Sequence, residues 1–262
     1  EITKALIMVV RSMIELDPAY SKVAARMLLD KLYQEVFGSE FNYENLFDEH
    51  VKAFSRNIHN AIKKGLLDPK MAEFDHELLA KNLILKNDDL FEYMGLEILS
   101  SRYFMEDTDA KRPIETPQMF WMRVAMGTAI NEKKKDRDRV ALEFYDVLSN
   151  FYYTPGGRTL FQAGAIKAQL SNCFLNVVPD SLDGIFKTFS DNAQYLKWSG
   201  GTGTSWSAVR GIGAFIKGTG VNGQGVVPFL KIANDVNVAI NRSGKRRSAG
   251  CVYLETWHID IE

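Results

Sequence analysis

The sequence predicts a helical domain followed by an α/β domain, with a boundary near residue 150. Apolar residues recur at helical spacing through much of residues 1–150. Glycine then becomes frequent, since 13 of the 19 glycines fall between Gly156 and Gly225. Short strand-like runs alternate with helical runs in that part, as they do in α/β domains. We therefore assign residues 1–150 to an N-terminal helical domain and residues 151–262 to an α/β domain.

The helical domain is predicted from periodic apolar residues and from the signals that start and stop helices. Asp17-Pro18 suits an N-cap followed by a first-turn proline, and Gly38 suits the end of the same helix. Between them, apolar residues recur at every fourth position: Ala24, Leu28, Leu32 and Val36. Further helices are predicted over residues 43–64, 76–85, 89–104, 116–130 and 136–151.

The α/β domain is predicted from alternating strand-like and helical segments. The predicted strands are Cys173–Val178, Ser205–Val209 and Val252–Trp257. The predicted helices between them are Leu182–Trp198 and Val226–Ile240.

Composition excludes several classes of function. The net charge of −1 gives no bulk electrostatic footprint for DNA or RNA. The longest apolar run, Ala5–Val10, is too short to cross a membrane, and no secretory signal is visible. Two cysteines are too few for a disulfide framework, so we expect a cytoplasmic protein. The four histidines form no zinc pattern with cysteine, and no metal held by the protein is expected.

Glycine-rich segments are candidate anion sites because glycine lets backbone N–H groups approach an anion. Three such segments lie in the second domain, at residues 154–158, 200–203 and 218–225. None has the Gly-Lys-Ser/Thr ending of a Walker motif, so tight turns are the alternative interpretation. Residues 241–248 carry four cations, which favours either a loop that contacts phosphate or base, or a solvated turn.

Single residues in the second domain are ambiguous when they are taken one at a time. Cys173 lies in a strand-like run near the glycine segments and is either a working thiol or a buried structural cysteine. Asp180 and Ser181 follow a proline and open a helix, where a role as N-cap would account for them. The combination and order of these features favour a functional interpretation.

Taken in order, the motifs resemble those of the large subunit of ribonucleotide reductase, and most of all the aerobic, class I type. The matching motifs are Thr154-Pro155, Ser171–Leu175, Asp180–Asp183, Gly200–Gly203, Arg210, Gly218–Gly225, Val227-Pro228 and Trp257–Asp260. The similarity covers Tyr153–Glu262, and the preceding helices fit the family's helical domain more loosely. The resemblance implies the first half of a ten-stranded α/β barrel. It also implies conversion of ribonucleotides to deoxyribonucleotides by thiyl-radical chemistry.

The resemblance assigns one redox residue and three substrate positions. Cys173 matches the thiol that, with a second cysteine later in the family's chain, reduces the ribose 2′ position and ends as a disulfide. Thr154, Asn172 and Gly201 match positions near the diphosphate and ribose of the substrate. The family often has Ser where Asn172 stands, and an amide offers similar hydrogen bonding. Cys251 matches none of the family's redox cysteines and is expected to be a small buried residue.

The resemblance also implies a specificity site for a deoxynucleoside triphosphate or ATP effector. Its matching residues are Asp180, Ser181, Leu182, Arg210, Ile216, Lys217 and Arg246. A carboxylate at Asp180 can accept a hydrogen bond from the effector's sugar, and the donors of Arg210 form a rigid fork for phosphate. Lys217–Gly225 matches the first specificity loop and Ser243–Gly250 the second, in which Arg246 contacts base or phosphate.

Several parts of the family's catalytic set are not identified in this sequence. The radical-bearing cysteine, the partner of Cys173 and the C-terminal cysteine pair have no match, so we expect a piece of a longer or split protein. The expected partners are the C-terminal half of the large subunit, a metal-containing small subunit that supplies the radical, and a thioredoxin- or glutaredoxin-type reductant. Mg²⁺ is expected only with bound nucleotides. A homodimer of large subunits, with residues 182–198 as a candidate interface, is also implied.

Two alternatives stay open from the sequence. One is a non-catalytic module that binds the effector nucleotide without performing the chemistry. The other is part of a cobalamin-dependent class II reductase, because the residues that would discriminate the classes have no match here. The helical domain favours class I.

Overall fold

The computed structural model describes residues 2–38, 41–198, 200–240 and 249–262. The chain divides into two compact units, residues 1–170 and residues 171–262. Residues 151–170, which the sequence assigns to the second domain, pack within the helical unit. No helix in the described part of the chain is both long and apolar enough to cross a membrane.

The first unit is helical, as predicted. Its helices are α1 (Ile2–Ser12), α2 (Ala19–Phe37), α3 (Leu46–Lys63), α4 (His76–Lys81), α5 (Tyr93–Arg102), α6 (Pro117–Ala129), α7 (Lys134–Ser149) and α8 (Gly157–Gln162). Most of the predicted helices are confirmed with shorter ends, because several terminal turns are 3₁₀ helix or irregular. The helix predicted over residues 136–151 lies two residues earlier, as α7. Helix α8 was not predicted, since its segment was interpreted as a glycine-rich turn.

Helix α6 forms the centre of the helical unit, and nearly all of its residues are buried. Arg123 on this helix pairs with buried Glu115, with 2.5 Å between Nε and Oε1, and donates to the carbonyls of Leu160 and Ala163. A buried arginine is stable only when its charge and its donors are satisfied, and these partners satisfy them. The hydrogen bonds connect α6 to the end of α8.

A buried polar network crosses the same unit around Asp88. Tyr33 Oη donates to Asp88 Oδ2 at 2.5 Å, and Gln118 Nε2 donates to Asp88 Oδ1 at 2.6 Å. Tyr145 Oη in turn donates to Gln118 Oε1 at 2.7 Å. Burial raises the pKa of the Asp88 carboxyl to about 7, although the hydrogen bonds from Tyr33 and Gln118 act in the opposite direction.

In the residues that the structure describes, the second unit contains a three-stranded parallel sheet, a β-hairpin and two α-helices. Its elements are β1 (Cys173–Val177), α9 (Leu182–Lys197), β2 (Gly201–Ser205), β3 (Ile212–Phe215), β4 (Asn222–Gln224), α10 (Val227–Ile240) and β5 (Gly250–Tyr253). The sheet order is β1-β2-β5, and β3 pairs antiparallel with β4. The α/β class is therefore confirmed.

Two predicted strands are wrong in their position. The strand predicted at Ser205–Val209 runs instead over Gly201–Ser205, and Trp206–Val209 turns away from the sheet. The strand predicted at Val252–Trp257 begins and ends earlier, at Gly250–Tyr253. In both cases β-branched and aromatic residues favoured the wrong segment, whereas the strand itself contains glycine.

One face of the parallel sheet is covered by α9. Asn176 Nδ2 donates to Asn192 Oδ1 at 2.9 Å, and Asn192 Nδ2 donates to Thr204 Oγ1 at 3.0 Å, so one helix residue connects β1 and β2. Phe174 stacks on Tyr195 with ring centroids 4.2 Å apart. A small apolar core lies beyond the carboxyl ends of the strands and consists of Val178, Ile185, Phe189, Trp206, Val209 and Val226.

We predict that Asp88→Asn changes how the stability of the helical unit depends on pH. In the unfolded chain the carboxyl titrates near about pH 3.9, whereas in the folded chain its pKa is raised to about 7. The stability that the protonated Asp88 carboxyl gives to the folded unit is therefore fully present below about pH 4, and it is lost as pH rises through 7. Asparagine cannot ionise, so the variant should gain stability relative to the natural protein between pH 5 and 7, by at most about 1.4 kcal/mol per pH unit.

The measurement is urea unfolding followed by circular dichroism at pH 5, 6 and 7. Asp48→Asn is the matched control, because it makes the same change at an exposed position of α3. Stability curves of Asp88→Asn and the natural protein that stay parallel over this range would contradict the prediction.

Candidate functional site

Cys173, Asn172 and Gly201 lie together at the amino ends of two strands. Cys173 begins β1 and stands in register with Gly201, the first residue of β2. A Cβ placed on Gly201 would be 3.8 Å from the Cys173 Sγ, and the Asn172 carbonyl accepts the Gly201 N–H at 2.8 Å. The structure therefore brings together one predicted redox residue and two predicted substrate residues. Thr154 lies in the helical unit, before α8.

The Cys173 thiol belongs to the sheet face that α9 does not cover. Leu175 and Val177 follow Cys173 on the same side of β1 and are exposed. On β2 this face carries Gly201, Gly203 and Ser205, and on β5 it carries Cys251 and Tyr253. We call these strand residues the thiol face. Both cysteines on it are free and exposed.

The expectation for Cys251 was wrong, because its thiol is exposed rather than buried. It stands in register with Gly203, one strand beyond the strand that pairs with Cys173. Neighbouring strands lie about 4.8 Å apart, so the two cysteine Cα atoms are separated by at least roughly 9.6 Å. A disulfide needs Cα atoms within about 7 Å, so Cys251 cannot pair with Cys173 in this sheet.

A second candidate site is a cleft of about 460 Å³ that the β2–β3 connection helps to line. Asp180, Ser181, Leu182, Arg210 and Ile216 line it together with the hairpin residues Asn222, Gly223 and Gln224. Five of the seven predicted effector residues therefore meet in one cleft. Lys217 is exposed in the hairpin turn and does not line it. Arg246 lies outside the described residues.

Asp180 and Arg210 form an ion pair at the mouth of this cleft. Arg210 Nε is 3.1 Å from each carboxylate oxygen of Asp180, and the Arg210 backbone N–H donates to Asp180 Oδ1 at 3.2 Å. Partial burial alone would raise the pKa of Asp180, but the hydrogen bonds from Arg210 hold this pKa below its usual value. Arg210 Nη1 also donates to the Phe215 carbonyl at 3.1 Å, which attaches the hairpin to the pair.

The start of α9 also lines the cleft. Ser181 is the N-cap of this helix, and its Oγ accepts the Gly184 N–H at 3.1 Å. The sequence interpretation of Ser181 as a helix N-cap is therefore confirmed. The same residue also lines the cleft. Leu182 exposes its side chain beside it and gives the wall an apolar surface. The cleft thus combines an arginine fork, a carboxylate, a helix N-terminus and apolar side chains.

Asp260 holds both ends of the hairpin and was not singled out as a functional residue from the sequence. Its Oδ1 accepts the Ile212 N–H and its Oδ2 accepts the Val226 N–H, each at 2.8 Å. Burial alone would raise the pKa of Asp260, but these two N–H donors hold the pKa below its usual value. A Cβ on Gly225, whose φ is +74°, would lie 2.2 Å from Asp260 Oδ2, so only glycine permits this approach.

His258 completes this attachment, since its Nε2 lies 2.7 Å from the Val209 carbonyl just before Arg210. The motif Trp257–Asp260 thus positions the cleft without lining it. The sequence pointed to His258 and Asp260 through the motif Trp257–Asp260, which is among the motifs that carry the family resemblance. Among the described residues, no three His, Cys, Asp or Glu side chains are grouped so that they could hold a metal ion.

Comparison with known proteins gives two family matches. Residues 171–262 match the ribonucleotide reductase barrel domain, and residues 89–167 match the ribonucleotide reductase all-alpha domain. The chain is 45% identical over 262 residues to the ribonucleoside-diphosphate reductase subunit alpha of Chlamydia pneumoniae, covering all of this chain and 25% of that protein.

More distant relatives give the same result. The subunit alpha of Helicobacter pylori is 39% identical over 263 residues, covering all of this chain and 32% of that protein. The large subunit of Arabidopsis thaliana is 32% identical over 253 residues, covering 93% of this chain and 29% of that protein. The chain thus spans between a quarter and a third of the length of these relatives.

We predict that Asp260→Ala loosens the hairpin, because it leaves the Ile212 and Val226 N–H groups without their acceptor. The loss of two charge-assisted bonds should cost about 2–4 kcal/mol of local stability. Hydrogen exchange at these two amides measures the loss, and both should exchange at least about 30-fold faster. Asp235→Ala, at an exposed position of α10, is the control. Unchanged exchange at both amides would refute this role of Asp260.

Proposed function

Because this chain belongs to the ribonucleotide reductase family, we propose that it is part of the α subunit of a class I ribonucleoside-diphosphate reductase. In this proposal the chain supplies one redox thiol, part of the substrate site and the effector cleft. The rest of the α subunit supplies the radical cysteine and the redox partner of Cys173. The observation that carries the proposal is the meeting of Cys173, Asn172 and Gly201 at one end of the parallel sheet.

The thiol face suits reduction of a ribose. Cys173 is exposed on β1, and its neighbour Gly201 has no side chain, so a sugar can approach the sulfur closely. Two thiols together supply two electrons and two protons. The ribose 2′ hydroxyl then leaves as water, hydrogen takes its place on the carbon, and the two sulfurs form a disulfide. An external dithiol of the thioredoxin or glutaredoxin class regenerates the thiols by exchange.

The cleft suits a nucleoside triphosphate effector. Arg210 offers a planar fork of donors to phosphate, Asp180 can accept from a sugar hydroxyl, and Leu182 and Ile216 offer apolar contact to a ring. Mg²⁺ would arrive on the phosphates of the nucleotide, since it prefers phosphate oxygens and water. Lys217 and Arg246 belong to the two specificity loops of this proposal.

The remaining parts of the proposal come from the family. A metal-containing small subunit supplies the radical, and two α subunits associate, with α9 as a candidate interface. We place the enzyme in the cytoplasm, where free thiols are kept reduced.

We predict that Cys173→Ser in the complete α subunit abolishes multiple turnover. The expected loss is more than about 100-fold, because serine cannot form the disulfide that completes the electron transfer. The assay measures deoxynucleotide formed with the radical-generating subunit and a dithiol reductant. Ser101→Ala, an exposed change on α5, is the control for expression and assembly.

Sustained turnover by Cys173→Ser would overturn the assignment of this thiol. A complete, folded natural complex that binds effector but gives no deoxynucleotide would support the alternative of a non-catalytic nucleotide-binding module.

We predict that Arg210→Ala weakens binding of a deoxynucleoside triphosphate at least about tenfold, which corresponds to about 1.4 kcal/mol. The reason is the loss of the guanidinium donors in the cleft. Calorimetric titration with dTTP measures the change. Arg210→Lys tests the fork, because it keeps the charge but not the bidentate geometry.

Lys231→Ala on α10 removes an equal charge outside the cleft and is the matched control. Effector affinity that is unchanged in Arg210→Ala would count against the site.

A further inference from the structure

Tyr253 reaches across the thiol face from β5 toward β1. A Cβ on Gly203 would lie 3.1 Å from Tyr253 Cε2 and 3.9 Å from Tyr253 Oη, so the phenol ring covers this glycine. The same Cβ would lie 2.6 Å from Leu175 Cδ2, so the side chains of Leu175 and Tyr253 meet over β2. Any side chain at position 203 would displace both of them.

The Tyr253 hydroxyl lies over Gly203, the residue of β2 that stands in register with Cys251. A hydrogen-bonding interaction with the Cys251 sulfur, followed by charge interactions with Cys251 and Cys173, raises the pKa of the Tyr253 hydroxyl. The strand residues that β2 contributes to the face are Gly201, Gly203 and Ser205, none of which carries a charge at neutral pH. On the described strands, therefore, the titratable groups that face one another are these two thiols and one phenol.

The two thiols cannot be explained as a disulfide pair, because the intervening strand keeps them too far apart. The glycines of β2 leave the space that a phenol needs in order to reach between them. A hydroxyl donor near sulfur stabilises the thiolate, which is the form that attacks electrophiles and disulfides.

We infer that Tyr253 is a positioning residue for the thiols of this face. Its hydroxyl lies over Gly203, which stands in register with Cys251, and there it stabilises the thiolate form and sets how fast the sulfur reacts. The inference rests on the proposed function in one respect, namely that Cys173 is a working thiol of the reductase. Tyr253 acts through the sulfurs and is not itself required to touch the substrate.

The test uses the fact that the 262-residue chain contains two cysteines. Cys173→Ser leaves Cys251 as the reporter, and Cys251→Ser leaves Cys173. Each variant is alkylated with iodoacetamide at pH 7.5, a reaction in which an S–C bond forms, iodide leaves and the thiol proton passes to the buffer. The rate is compared with and without Tyr253→Phe, which removes the hydroxyl and keeps the ring.

Tyr253→Phe should slow alkylation of Cys251 by about three- to tenfold, and that of Cys173 by a smaller factor in the same direction. Tyr195→Phe is the matched control, because it removes a phenol hydroxyl from a residue that packs on Phe174, on the covered face of the sheet. It should leave both rates unchanged. If Tyr253→Phe changes the alkylation rate of each cysteine by less than twofold, the inference is overturned.

A second measurement does not depend on the folding of Tyr253→Phe. Titration of the Tyr253 ring, followed by NMR of ¹³C-labelled tyrosine, should have a lower midpoint in Cys251→Ala than in the natural chain. The reason is that Cys251 is the main partner that raises the Tyr253 pKa. An unchanged midpoint would also overturn the inference. Neither readout involves turnover or effector binding, so failure of this inference is distinguishable from failure of the proposed function.

Discussion

The parallel hydrogen-bond register of β1, β2 and β5 is the constraint on which both candidate sites depend. It aligns Cys173 with Gly201 and Gly203 with Cys251, and so fixes which side chains share a face. A shift of one residue in any of these strands would move its side chains to the face that α9 covers. The same register sets where each strand ends, and therefore where the connections that carry Asp180 and Arg210 begin.

In the cleft lined by Asp180 and Arg210, hydrogen bonds to charged side chains add to the framework that the strand register provides. Arg210 bonds to the Asp180 carboxylate and to the Phe215 carbonyl, so one guanidinium connects the start of α9 with the hairpin. Asp260 holds the base of the same hairpin through two backbone N–H groups. A phosphate that enters this cleft would compete with Asp180 for the donors of Arg210, and the hairpin would respond because it shares that side chain.

The order of elements was predictable from the sequence, but several positions were not. Helix α9 follows from its Ser181 cap and its apolar face, both of which are local signals. Strand β2 was misplaced because its glycines have low β-propensity, while its two neighbours in the sheet lie far away in the chain. The exposure of Cys251 was missed for a related reason. Only the strand register shows on which face of the sheet a residue lies.

The network around Asp88 has a further consequence for the exchange of protons on unfolding. Burial lowers the pKa of His50 to about 4, while it raises the pKa of Asp88 to about 7. Between about pH 4 and 6.5, therefore, unfolding releases a proton from the carboxyl and takes one up on the imidazole. The two transfers nearly cancel. A helical unit with two deeply buried ionisable groups can thus be almost insensitive to mild acidification as far as these groups are concerned.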